Sequence, residues 1–459
     1  MNKNSIYSKL SEKYQNELIT NLKKFVNINA VYDESTRDKK NPFGVGVTNA
    51  LNFITDLARK DGFEVTNYNN MIVEILAGKG DKNITILAHA DVVPAGDTGW
   101  NQDPFALKEE DGVLYGRGVA DDKGPLLASY YAMRLIVDNN LQGDYQIRFL
   151  VGGNEESGSL GVQYYFDNLK KPQPTFGFSP DAEYPLIFAE KGITNFKVSG
   201  EFIVPDVISI HGGVASNSVI EKCVVKIKSA SPFIQFVKEK NSNVIIEKGD
   251  DVTEISFIGK SAHGATPEEG ENAGMVAIDA LGNYFKDENL NKICALFSDL
   301  YGAGCDAYAK SDDMGKCSLN VGLLDYEDGK FSMVVNYRHV DTVTSEEMIE
   351  KITKASKPYE ITVLSSMPVL YYPKDSILVS TLLSVYQEET GDYKSQPKAI
   401  GGGTYAKELE NVVAFGMEFP GWNSQMHSPG ECTKKEDLFK SIAIYARAIA
   451  DLGKKIDEN

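Results

Sequence analysis

The 459-residue sequence predicts an α/β fold with a central sheet, interrupted by a large inserted α+β segment. Three observations carry this. In the first third of the chain, apolar runs of strand length alternate with stretches of helical period. The same alternation returns after about residue 376. Between them, short alternating segments follow one another with few helices, which is the texture of antiparallel sheet.

The elements follow in order. Leu10, Tyr14, Leu18, Leu22 and Phe25 recur at helical spacing with Lys and Glu between them, an amphipathic helix and not a targeting segment. Leu51, Ile54, Leu57 and Ala58 line a second helix near 47–59, which Asp61-Gly62 ends. Residues 71–76 and 84–88 read as strands. Pro125 is expected to open a helix through Leu126, Leu127, Tyr130, Met133 and Ile136, because a first-turn residue has no helical use for its N–H. Residues 145–151 form another β-rich run. In the middle, 195–198, 224–227, 254–258 and 332–337 alternate as antiparallel strands do. Late in the chain a helix covers 376–389, and 412–416 reads as a buried strand. Thr433-Lys434-Lys435-Glu436 has capping-box spacing ahead of a long helix through Leu438, Ile442, Tyr445 and Ile449. The expected division is a first domain made of 1–188 and 376–459, with 189–375 inserted.

Composition narrows the function. Lys and Arg number 47 against 65 Asp and Glu, a net charge of −18, with no basic block. Nucleic acid as a partner is thereby disfavoured, since phosphate binding needs a basic face. No run approaches the ~20 apolar residues of a membrane span. Five scattered cysteines (223, 294, 305, 317 and 432) fit neither a disulfide framework nor a CxxC metal site, so a cytoplasmic setting is expected.

Five short segments carry candidate chemistry. Leu87-Ala88-His89-Ala90-Asp91 follows a strand, where open α/β sheets place ligands. His89 could bind a metal while Asp91 holds its other ring nitrogen, or could merely cap a strand. Gly116-Arg117-Gly118-Val119-Ala120-Asp121-Asp122 delivers two carboxylates to a helix start, as a ligand loop or as an ordinary acidic helix start. In Asn154-Glu155-Glu156-Ser157-Gly158, one glutamate could ligate while its neighbour acts as a base; two solvated surface acids would look the same. Ser179-Pro180-Asp181 adds a carboxylate, and Met426-His427-Ser428 a histidine. Spacing does not show that His89 and His427 meet.

Together and in this order, HADVVPAG, GRGVADDKGP, NEESG, SPDAEYP, GGGTYAKE and MHSPGE resemble the aminoacylase/carboxypeptidase-like co-catalytic metallopeptidases (clan MH). The likeness is strongest to their bacterial dipeptidase V branch, the Xaa-His or carnosinase-like dipeptidases, and covers nearly the whole chain. It implies a phosphorylase/hydrolase-like catalytic domain with a central mixed sheet, interrupted by an α+β lid. It further implies one divalent ion on His89, Asp121 and Asp181 and a second on Asp121, Glu156 and His427. Zinc is the expected metal, with manganese or cobalt also fitting. Asp91 would orient His89, and Glu155 would be the general base for a water held between the ions. The Asp121–Asp122 peptide is expected to be cis. Lys260-Ser261-Ala262-His263-Gly264 matches the lid histidine that serves the oxyanion. Arg338 matches an arginine that grips the substrate's free carboxylate, with Asn217 and the Gly401–Gly403 loop, Gly402 and Gly403 above all, as further candidates for that pocket. One departure is Gly430, where the family's last motif has Asn before Glu.

The implied activity is hydrolysis of dipeptides, such as β-Ala-His or Xaa-His, by a cytoplasmic monomer whose long insert covers its own site. An N-acyl amino acid amidohydrolase would use the same metals. A non-catalytic small-molecule binder on the same fold would have no need of Glu155.

Overall fold

The computed structural model describes residues 5–96, 98–240 and 243–457. They group into two compact units, one of 5–188, 372–398 and 404–457, the other of 189–371 and 399–403.

The first unit is built on a mixed sheet. Seven of the nine strands of this sheet are β1 (Glu64–Tyr68), β2 (Ile72–Gly78), β3 (Asn83–His89), β4 (Gln146–Gly152), β5 (Phe176–Ser179), β6 (Ile187–Glu190) and β7 (Val412–Ala414), in the order β1-β2-β4-β3-β5-β7-β6. The central four, β4, β3, β5 and β7, run parallel; β1, β2 and β6 pair antiparallel. Every residue of β3 is buried, which is why it reads as a continuous apolar run rather than as an alternation. Helices Lys123–Asp138 and Lys435–Lys454 pack on one another, and the Tyr445 ring stacks on Phe178 of β5 at 5.3 Å. Because the central strands are parallel, His89, the turn after Gly152 and the turn after Ser179 all emerge at the same edge. That edge is where such sheets place ligands. Ile86, at the middle of β3, is fully buried. Ile86→Ala is expected to cost about 2–5 kcal/mol, read as a lowered urea midpoint by far-UV circular dichroism; an unchanged midpoint would remove β3 from the core.

The second unit is an eight-stranded antiparallel sheet. Its order is Val244–Lys248, Val252–Ile258, Lys222–Lys228, Val207–Gly212, Ser318–Glu327, Lys330–His339, Gly192–Glu201 and Glu360–Met367. Helices Ala273–Phe285 and Glu288–Phe297 lie side by side in this unit and bury Ile278, Leu281, Leu290 and Ile293.

Four local expectations need correction. The N-terminal helix is two helices, Ile6–Ser11 and Gln15–Val26, with a tighter turn at Glu12–Tyr14 between them. Pro125 does not open its helix, which begins at Lys123; Pro125 sits in the first turn, where it blocks no hydrogen bond. Thr433 caps nothing. It belongs to a short strand, opposite Leu114, and the helix starts at Lys435, whose N–H donates to the Gly112 carbonyl. The domain limits also shift. Residues 372–375 group with the first unit, where the Tyr372 N–H donates to Phe188. Residues 399–403 group with the second, where the Lys191 N–H donates to Ile400.

Candidate metal centre

His89 ends β3. Its N–H donates to Asp122 Oδ2 at 2.9 Å, and its Nδ1 lies 3.1 Å from the Asp91 carbonyl and 3.4 Å from Asp91 Oδ1. Both neighbours are acceptors, so Nδ1 carries the proton and Nε2 is turned towards the cluster. The stronger bonds of the Asp91 carboxylate go elsewhere. Its two oxygens accept from the N–H groups of Glu155 (3.1 Å) and Glu156 (3.2 Å), fixing the turn after β4. Asp91 thus ties the strand-end histidine to the glutamate pair.

The side chains then converge. His89 Nε2 lies 3.0 Å from Asp121 Oδ1 and 3.6 Å from Asp181 Oδ2. His427 Nε2 lies 2.8 Å from Asp121 Oδ2 and 3.2 Å from Glu156 Oε2. Ligand atoms of His89, Asp121 and Asp181 fall within 4.8 Å of one another, as do those of Asp121, Glu156 and His427, so Asp121 is common to both groups. His89, Glu155 and Glu156 form a third such group. The Asp121–Asp122 peptide is cis, and so is Gly416–Met417, which the sequence does not announce.

These residues fit cations. His89 Nε2, Asp121 Oδ1 and Glu156 Oε1 are buried without a hydrogen-bond partner; the first two are 3.0 Å apart but not at a bonding angle. A buried unpaired polar atom costs about 1–3 kcal/mol, a penalty that a cation ligated by these atoms would remove. Four carboxylates crowd the same space, which two divalent ions would neutralise. Electrostatics agree. Burial holds the Glu155 carboxyl well above the usual range, reinforced by Asp181, Glu156 and Asp121 against the pull of His89. Burial works to raise Asp121 too, but the His427 and His89 imidazoles beside it pull it below the ordinary value.

Hydrogen bonds to Asp121 and then Glu156 push the His427 imidazole up to about 11, against partial desolvation of the ring. Without metal, His427 is therefore protonated throughout the neutral range and loses its proton only as pH rises past that value. Cations must displace this proton, so metal uptake is expected to release protons and apparent affinity to rise with pH. Zinc titrations by calorimetry in buffers of different ionisation enthalpy check this; equal heats in all of them would contradict it.

The second unit gathers the other expected residues. Arg338 is 3% exposed; its Nε donates to Asn336 Oδ1 (2.9 Å) and its Nη1 to the Gly401 carbonyl (2.6 Å). Burial lowers its guanidinium to about 10, still charged at neutral pH. No carboxylate among the described residues forms an ion pair with it. His263 is exposed, and its Nδ1 accepts from the Ala265 N–H at 3.3 Å. Partial desolvation of the ring and then Arg338 lower its pKa, so the ring is neutral with its proton on Nε2. Asn217 is exposed on a loop that Asn320 fixes by donating to the Ser216 and Ser218 carbonyls; the Asn217 carbonyl accepts from Gly264, next to His263. Gly401 lies against Ala265, where a Cβ would come within 2.8 Å, and a Cβ at Gly402 would make only an ordinary contact with Ile400 at 3.8 Å. Gly403 is exposed.

Sequence reasoning missed several residues. Glu431 is fully buried and binds Arg117 as well as the backbone of the Asp121 loop. Asp122 receives the His89 N–H. Tyr405, 1% exposed, presents its ring to His89 edge-on at 5.9 Å. All three stand in the quoted motifs, but nothing in their spacing distinguishes them from framework.

A central α/β sheet with a histidine–carboxylate cluster fitted to two cations defines a metal-dependent hydrolase. More particularly, the chain belongs to peptidase family M20/M25/M40, whose model matches residues 85–451. It is 32% identical over 471 residues to the Beta-Ala-Xaa dipeptidase of Lactobacillus delbrueckii subsp. lactis, covering 98% of each chain. Its fold is that of human carnosine dipeptidase 1 (TM-score 0.55, 14% identity, 98% and 99% of the two chains). The di-peptidase Dug1p of Saccharomyces cerevisiae shares it as well (TM-score 0.58, 16% identity, 98% of both).

Proposed function

We propose that the protein is a two-metal dipeptidase that hydrolyses short peptides with a free C-terminal carboxylate, β-Ala-His and other Xaa-His dipeptides among them. The observation that carries this reading is the pair of overlapping ligand groups sharing Asp121, with Glu155 beside them. Similarity to a Beta-Ala-Xaa dipeptidase supports the substrate class.

In this reading His89, Asp121 and Asp181 hold one ion, and Asp121, Glu156 and His427 hold the other. The ions, zinc by preference with manganese or cobalt able to replace it, supply Lewis acidity that polarises the scissile carbonyl and acidifies the attacking water. Glu155 takes the proton of that water and passes it to the leaving amine. Its elevated pKa suits it to hold the proton between the two events. Asp91 acts on both sides of the site, through the His89 tautomer and through the Glu155–Glu156 backbone. His263, with its proton on Nε2, donates to the tetrahedral oxyanion. Arg338 binds the substrate carboxylate, a bidentate task for guanidinium, aided by Asn217, Gly402 and Gly403. The insert acts as a lid on its own chain, and the protein is a cytoplasmic monomer. Among the described residues, no helix is long and apolar enough to cross a membrane.

Exhaustive chelation is expected to abolish β-Ala-His hydrolysis, and two equivalents of zinc, manganese or cobalt to restore it. Undiminished hydrolysis by the chelated protein would overturn the proposal.

A further inference from the structure

Glu431 is fully buried, four residues after His427. Its Oε1 accepts from the N–H groups of Gly118 (3.0 Å), Ala120 (2.9 Å) and Asp121 (3.1 Å), and its Oε2 meets Arg117 Nη1 at 2.7 Å. Its carbonyl accepts from the Gly116 N–H at 3.1 Å. One residue therefore grips the whole turn that ends on Asp121. The two segments, 116–121 and 427–431, touch again at their functional ends, where His427 Nε2 meets Asp121 Oδ2.

The two ligand groups differ in what holds them. His89 is the last residue of β3, and Asp181 lies two residues beyond β5, so the sheet backs both. His427 is on a turn five residues ahead of the short strand Cys432–Lys434, at φ +59°, between Gln425 at +53° and Gly430 at +89°. Its side chain is 57% exposed, and its Nε2 pairs with Asp121 and Glu156. Beside the main-chain bond from Cys432 to the Ser424 carbonyl (2.9 Å), that turn is anchored by the buried side chain of Glu431, whose bonds are charge-assisted and therefore strong.

We infer that Glu431, with Arg117 as its counter-charge, is a positioning residue that sets His427 against Asp121 and so governs the second ion far more than the first. This rests on the two-ion reading. Glu431→Gln turns an amide N–H₂ towards Arg117 or the backbone donors and loosens the joint. Arg117→Lys keeps the counter-charge but gives up the planar fork.

Metal stoichiometry and affinity test this, by zinc titration calorimetry and elemental analysis after dialysis against buffered zinc. Wild type is expected to hold two ions. E431Q is expected to hold one firmly, with the second weakened about 10–100-fold, and R117K to shift the second ion less in the same direction. Glu389→Gln is the control, another buried carboxylate on an arginine (Arg447 Nη1, 3.0 Å) in the same unit, bonded also to Ser5 and Ser8. E389Q is expected to lower the melting temperature and keep both ions. Wild-type affinities for both ions in E431Q and R117K would overturn the inference, as would loss of the second ion from E389Q as well. If E431Q does not fold, R117K decides between these outcomes. A wild type that holds fewer than two ions would instead reject the two-ion reading.

Discussion

Glu155→Ala is expected to retain both ions and lose β-Ala-His hydrolysis by at least about 10²–10⁴-fold in kcat, the usual contribution of a positioned general base. The expectation follows from where Glu155 stands. Its backbone is fixed by Asp91, and its carboxyl is held high by burial and by neighbouring acids. It also lies within ligand distance of His89 and Glu156, so it could in geometric terms serve as a ligand. Elemental analysis of the variant separates the two roles. Two ions with little activity assigns it as the base. Loss of an ion would make it a ligand, and undiminished activity would remove it from the chemistry.

Arg338→Ala should lower kcat/KM for free-carboxylate dipeptides by an amount equivalent to about 2–5 kcal/mol, the cost of truncating one partner of a buried charge pair. C-terminal amides should be hydrolysed as by wild type. The guanidinium is nearly inaccessible, oriented by Asn336 and Gly401, and without an acidic partner among the described residues. A buried charge in that position calls for an anion from outside the fold. Lysine should not rescue it, since a point charge cannot reproduce the fork that meets a carboxylate. Equal losses on acids and amides would mean that Arg338 supports the second unit and does not read the substrate.

Much of the fold was legible because burial imposes period. β3 and β4 are buried along nearly their whole length and appear as unbroken apolar runs; the strands of the second unit alternate because one face is covered. Capping was less legible. Thr433 has the right neighbours for a cap, but its backbone is committed to a ladder with Leu114, a partner distant in sequence. The return of 399–403 to the second unit has the same cause, a main-chain bond from Lys191 that no side chain advertises.

The ligand residues were legible only through their ordered resemblance, since His89 and His427 lie 338 residues apart in a chain of 459. Parallel strand order explains how the segments of His89, Glu155–Glu156 and Asp181 converge, and it had to be seen in the structure. Glu431 escaped notice because its partners are mostly backbone N–H groups, which every sequence contains. The glycine before it, a departure from the family pattern, leaves those bonds intact and adopts the left-handed φ of +89° that glycine tolerates best.

The central claim is a dipeptidase acting through two ions, and one measurement tests it most directly. Metal-reconstituted wild type is assayed against a panel of dipeptides that includes β-Ala-His and Xaa-His members, with N-acyl amino acids alongside. Dipeptide hydrolysis well above that of N-acyl amino acids is the expected result. Two bound ions with no turnover of any dipeptide would contradict it.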